Sequence, residues 1–188
     1  MHTLCAHYYI IFPTMQLGEA QLASLDLRLR LQRPEHLPYY QDIRGSILIL
    51  DLSGFTALGE RLRLELGPRE GAAAFASRVN DILSTMVRQV HSHWGDVLMF
   101  AGDALICLFE AKDNGEILLD KQTGQQLSVD QKTQKRVREC CLSVLGEIAV
   151  EEDLTIHGGA AHGIIRCFFL GTPSNKPGRC AFIVSGHP

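Results

Sequence analysis

The sequence predicts an α+β fold, with helices stacked on one mostly antiparallel sheet. Three observations predict it. The aliphatic run Ile47-Leu48-Ile49-Leu50 ends in a carboxylate, Asp51, and passes through Gly54 into a helical pattern. Two further apolar runs, up to Phe100 and from Leu105 to Phe109, flank Ala101-Gly102-Asp103-Ala104 as the arms of a hairpin. Long amphipathic stretches lie between the strands: two after the first strand and one after the hairpin. With a further strand-rich segment near the end, the order is β-α-β-β-α-β, the ferredoxin-like unit.

At 188 residues, the chain suits one domain, or one domain with a loosely packed extension. Hydrophobic residues make up 46% and the net charge is −3, so no basic surplus points to nucleic acid or to an anionic lipid surface. The six cysteines show no CxxC spacing, and several sit in apolar runs, which favours buried reduced thiols and a cytoplasmic setting over secretion. Tyr8-Tyr9-Ile10-Ile11-Phe12 is far too short to span a membrane and lacks the flanks of a signal peptide.

Residues 1–20 show no clear period, and Pro13 breaks their apolar run. Residues 21–33 are ambiguous: Leu22, Leu25 and Leu29 have helical spacing, while Leu25, Leu27, Leu29 and Leu31 alternate as in a strand. Pro34 and Pro38 mark a linker. The expected division is therefore an N-terminal extension and linker over 1–44 and one domain over 45–188.

Ile47 to Leu50 is expected to be a strand buried on both faces, which would hold Asp51 rigidly at its end. The turn Ser53-Gly54-Phe55-Thr56 follows, with amides at a helix N-terminus that suit phosphate. A carboxylate beside such amides suits a hard cation carrying a polyphosphate. An ordinary strand-to-helix turn with Asp51 and Ser53 as caps fits the same residues. Both readings stand at this point.

The first helix covers 57–66, with Leu58, Leu62 and Leu66 in register, and stops at Gly67-Pro68. The second runs from about Glu70 to Ser92 on a stripe of Phe75, Val79, Ile82, Leu83, Met86 and Val90. The hairpin then places Asp103 at its tip. Residues 110–135 form a polar surface excursion with a small extra hairpin on Ile117-Leu118-Leu119. A third helix covers about 135–148. Residues 154–171 are expected to be two strands about a Gly-rich bend, and Ala181-Phe182-Ile183-Val184 starts a last strand. In this order Asp51 and Asp103 end neighbouring strands, so the two carboxylates are expected to converge on one site. Two divalent ions held there would stabilise both the attacking and the leaving oxygens of a phosphoryl reaction.

Asp51-Leu52-Ser53-Gly54-Phe55-Thr56 together with Phe100-Ala101-Gly102-Asp103-Ala104 resembles the class III nucleotidyl cyclases, over about residues 45–186. The Phe-Ala-Gly-Asp-Ala-Leu form looks most like the first catalytic domain of the animal bicarbonate-responsive soluble adenylyl cyclases. The resemblance implies conversion of ATP to 3′,5′-cyclic AMP and pyrophosphate. It implies two Mg²⁺ (or Mn²⁺) ions held by Asp51 and Asp103, with the Leu52 carbonyl on the second ion, and triphosphate on the amides of Ser53, Gly54, Phe55 and Thr56. It also implies a second cyclase catalytic domain as partner.

This sequence departs from the family in three places. Family members that read adenine from the hairpin carry a lysine four residues before the second metal aspartate; here that residue is Met99. The family's Asn/Arg pair lies on a helix after the last strand seen here, so the domain is expected to be C-terminally incomplete and inactive without a partner domain. Residues 1–20 do not look like the family's start. A non-catalytic cyclase-like domain that binds a partner or nucleotide is the alternative. His91, His93, His157, His162 and His187 are expected to be scattered surface histidines, Arg166 and Arg179 solvated surface, and Cys140-Cys141 part of a helix stripe.

Overall fold

The computed structural model describes residues 10–11, 39–113, 115–148, 154–170 and 181–187. The elements are β1 (Ile10–Ile11), β2 (Tyr39–Ser53), α1 (Phe55–Leu66), α2 (Pro68–Ser92), β3 (Asp96–Ala101), β4 (Ala104–Glu110), α3 (Val129–Ile148), β5 (Thr155–Leu170) and β6 (Ala181–His187). They form a six-stranded sheet in the order β1-β6-β5-β2-β4-β3, with every pairing antiparallel. From β2 to β5 this is the ferredoxin-like unit expected from the element order.

Strand β2 is central because it pairs along its whole length with β5 and from Gly45 to Asp51 with β4. Leu48, Leu50 and Leu52 alternate onto the helix side and are buried together with Leu58, Met86, Val90, Val97, Leu105, Phe109, Val137 and Val144. On the other side Ile47 is half-buried and Ile49 is 39% exposed, so the strand is fully buried on one face only. The reason is the fold class: the helices that pack on this sheet bury the Leu48–Leu50–Leu52 face, and the opposite face carries a thinner apolar cluster of Ile43, Leu98, Ile106, Leu108 and Ile165.

Several expectations shift at their boundaries. Strand β2 begins at Tyr39, ahead of residue 45, and Ile10–Ile11 pairs with β6. Residues 155–170 form one continuous strand rather than two strands about a bend: the glycines at 158 and 159 pair with Leu50 and Ile49 in the ladder. Helix α3 starts at Val129 instead of 135, because Ser128 and Gln131 cap it reciprocally, Gln131 N–H to Ser128 Oγ at 3.3 Å and Ser128 N–H to Gln131 Oε1 at 2.8 Å. The excursion before it holds the small hairpin expected there, with a bridge between Leu119 and Gln126, and it is tied down by buried Lys132, whose Nζ donates to the Glu116 carbonyl. Residues 21–33 and Arg179 lie outside the described residues.

Cys140 sits fully buried on the core stripe of α3, and Cys107 and Cys167 are fully buried as well. Burial pushes the Cys140 thiol up to about 12, so it is an inert core group.

Candidate active site

Strand β2 delivers Asp51 to the less covered face of the sheet, one residue past Leu50, whose side chain fills the core on the other face. Asp51 pairs across the ladder with Ala104 on one side and with His157 on the other. Ala104 directly follows Asp103, which sits exposed at the β3–β4 turn, where Gly102 has φ +68°. The Leu52 N–H donates to the Asp103 carbonyl at 3.4 Å. The strand end and the hairpin tip that carry the two carboxylates are thus joined directly.

Gly54 then turns the chain at φ 101°, ψ 2°, in the left-handed region that L residues rarely adopt, and α1 begins at Phe55. Gly54 O accepts from the Leu58 N–H at 3.1 Å. No side chain caps α1, and no acidic residue lies in its first turn. The capping reading of this turn fails on that point: Ser53 Oγ donates to the Thr155 carbonyl at 3.4 Å, onto β5. The helix N-terminus is left without a side-chain acceptor, an arrangement suited to an anionic ligand.

Met99 reaches the same side of the sheet through a β-bulge. The register between β3 and β4 shifts between Val97 and Met99, so Met99 pairs with Ile106, itself opposite Ile49. On its β4–β3 side the surface beside Asp51 is therefore aliphatic.

The remaining histidines divide. His157 is exposed but stands opposite Asp51, a placement that only strand register reveals. His162 is no surface histidine: its Nδ1 lies 2.9 Å from Ser46 Oγ and its Nε2 3.2 Å from Asp130 Oδ1. Arg44 Nε also donates to Asp130, at 2.8 Å, which ties the start of α3 to β2 and β5. Arg166 is exposed as expected, paired with Asp42 at 2.7 Å and stacked 4.6 Å over the Tyr40 ring.

Among the described residues, no three His, Cys, Asp or Glu side chains converge to hold a metal ion. The oxygen donors at hand are the carboxylates of Asp51 and Asp103 and the Leu52 carbonyl. That set fits Mg²⁺, which is commonly held by one or two carboxylates plus substrate phosphates, and does not fit a closed protein cage. The site is an open surface. The cavity beside it, about 270 Å³ lined by Phe55, Phe75, Val79 and Leu83, touches Asp103 but lies under the hairpin tip.

No protein-family profile matches the chain. It is similar to "Adenylate cyclase type 10" of Oryctolagus cuniculus, with 29% identity over 145 residues, covering 74% of this chain and 8% of that protein. The Homo sapiens protein of the same name is 28% identical over 144 residues, again 74% of this chain and 8% of its own length. The chain thus spans less than a tenth of the curated relatives it matches. In three dimensions it resembles a bacterial light-regulated adenylyl cyclase (TM-score 0.57, 17% identity, 89% of this chain and 44% of that one). It also resembles the adenylyl cyclase CyaB from P. aeruginosa (TM-score 0.51, 16% identity, 77% of this chain and 67% of that one). The fold is that of cyclase catalytic domains, as the two motifs imply. No helix of the described residues is long and apolar enough to cross a membrane.

Proposed function

We propose that this chain is the metal-carrying half of an adenylyl cyclase that converts ATP to 3′,5′-cyclic AMP and pyrophosphate in the cytoplasm, completed by a second cyclase catalytic domain. The observation that carries this reading is the Leu52–Asp103 hydrogen bond, which sets the Asp51 strand end, the Asp103 turn and the uncapped α1 N-terminus side by side. Sequence similarity to adenylate cyclase type 10 supports the choice of reaction.

Asp51, Asp103 and the Leu52 carbonyl would hold Mg²⁺ or Mn²⁺, two ions by the family resemblance. Bound there, the metal lowers the pKa of the ribose 3′-hydroxyl and offsets phosphate charge. The amides from Ser53 to Thr56 orient the triphosphate so that the α-phosphorus faces the ribose. The 3′-hydroxyl gives its proton to water as its oxygen bonds to the α-phosphorus, and the bond from the α-phosphorus to the α,β-bridging oxygen breaks so that this oxygen leaves with pyrophosphate. The open sheet face leaves the other side of the nucleotide to a partner domain. Met99 and its aliphatic neighbours offer no polar group to the base, which leaves the β3–β4 side of the purine to that partner.

The same aliphatic surface favours the second reading, a cyclase-like domain that binds nucleotide or a partner without turnover. Calorimetry with ATP and Mg²⁺ tests the binding common to both. The expected result is saturable binding that requires Mg²⁺ and weakens in Asp51→Asn and Asp103→Asn. Metal-independent binding, unaltered in both variants, would remove the site assignment.

A further inference from the structure

Ser46 continues the Leu48–Leu50–Leu52 face of β2 and is itself buried, at 2% exposure. Its partner across the β2–β5 ladder is His162. Both stand on the sheet face opposite Asp51, and the nucleotide reading uses neither.

The two side chains meet. Ser46 Oγ lies 2.9 Å from His162 Nδ1. Nε2 of the same ring is buried, has no well-aligned hydrogen bond, and faces Asp130 Oδ1 at 3.2 Å. Arg44 Nε donates to Asp130 at 2.8 Å, and this side-chain contact holds the Asp130 carboxyl below the usual carboxylate range. A carboxylate only accepts, so the ring hydrogen of neutral His162 sits on Nε2, toward Asp130. Nδ1 then accepts the hydroxyl hydrogen of Ser46. Serine, histidine and aspartate linked in this order form a relay in which the imidazole is the base and the carboxylate orients it. Long or poorly aligned contacts are usual in such relays before substrate binds.

Beside the relay there is room for a substrate. Gly158 and Ala160 stand opposite Leu50 and Leu48 in the ladder and present almost no side chain to α3. The space they leave is a cavity of about 460 Å³, lined by Ser46, His162, Leu48, Val137, Gln134 and Arg138. That volume suits a small molecule. Leu48 and Val137 give an apolar wall for a short acyl chain. Gln134 and Arg138, one turn apart on α3, bring N–H donors for a developing oxyanion.

We propose that Ser46 is the nucleophile of a second site, one that hydrolyses short-chain carboxylic esters. His162 Nδ1 takes the hydroxyl proton as Ser46 Oγ bonds to the ester carbonyl carbon. The bond from that carbon to the alcohol oxygen breaks, and His162 gives the proton to the departing oxygen. Water then adds to the acyl carbon and passes a proton to His162. That proton returns to Ser46 Oγ as the carboxylic acid leaves. Asp130 is a positioning residue, which fixes the ring and stabilises the imidazolium.

The test uses the full chain in EDTA without nucleotide, so its outcome is independent of the cyclase reading. The probe is p-nitrophenyl acetate. Release of p-nitrophenol should saturate with ester, and peptide mapping of an acid-quenched sample should place an acetyl group on Ser46. Ser46→Ala and His162→Gln, each checked for native circular dichroism, should lower kcat at least ~100-fold. Asp130→Asn should lower kcat with KM unchanged, a split that loss of a merely structural tie does not produce. The wild-type mapping is decisive even where a variant fails to fold. No acetyl group on Ser46, acetyl groups on lysines and cysteines alone, or undiminished hydrolysis by folded His162→Gln overturns the proposal.

Discussion

The backbone N–H of Leu52 donates to the carbonyl of Asp103, 51 residues further along the chain, at 3.4 Å. This contact extends the β2–β4 ladder one step past the Asp51–Ala104 pair and fastens the hairpin turn to the strand end. The side chain of Leu52 fixes the same point from below, fully buried in the core. The two carboxylates are positioned by backbone that the core holds rigid, while neither contributes to the core itself.

Gly54→Ala should damage the site more than the fold. At φ 101° the added Cβ costs about 1–2 kcal/mol, and relaxing it rotates the first amides of α1. The expected outcome is a lower thermal midpoint together with Mg²⁺-dependent ATP affinity reduced beyond what the loss of folded protein explains. Titration at a temperature where the variant is fully folded checks this.

Ser128→Ala should destabilise the domain by about 1 kcal/mol through loss of the reciprocal cap on α3, while Ser128→Asp should keep most of that stability. Urea unfolding of both variants separates the cap from a mere change of side chain.

Leu50→Ala should cost about 2–5 kcal/mol, since Leu50 is fully buried between α-helices and sheet directly behind Asp51. Loss of metal-dependent nucleotide binding in this variant should follow its unfolding curve. Binding lost while the domain remains folded would show that Leu50 also positions Asp51.

Acid should remove one layer of stability. The side-chain hydrogen bond from Arg166 holds the Asp42 carboxyl below the usual 3.8, and that from Arg44, aided by His162, does the same for Asp130. A carboxylate with a lowered folded-state pKa contributes stability above its unfolded value and loses it as pH falls through the folded one. Stability should therefore decline as pH drops below about 4, and Asp42→Asn with Asp130→Asn should flatten that decline. Urea midpoints measured from pH 6 to pH 2.5 report the slope.

Much of this architecture was legible in the chain. The run Ile47–Leu50, the Gly102 hairpin and the stripe of α2 each carry a periodicity that tertiary packing reinforces. The boundary of α3 was also written in the sequence, as Ser128 and Gln131 at capping-box spacing, but the polar composition around it obscured the signal. The glycines of β5 pointed to a bend because glycine weakens an isolated strand; continuous pairing with β2 overrides that local preference. The placement of His157 opposite Asp51 depends on register between strands a hundred residues apart, and no local pattern encodes it. The aim of Met99 likewise depends on a bulge that arises only from pairing.

The most direct test of the metal-carrying half-site is cyclic AMP formation by this chain mixed with a separately purified second catalytic domain of a soluble-type adenylyl cyclase, in ATP and Mg²⁺ or Mn²⁺. The chain alone should make essentially none, the mixture should turn over, and Asp51→Ala or Asp103→Ala should lower that turnover by roughly 10³-fold or more, the equivalent of several kcal/mol of transition-state stabilisation. Turnover in the mixture that is unaltered by both substitutions at limiting Mg²⁺ would contradict the assignment of these two carboxylates.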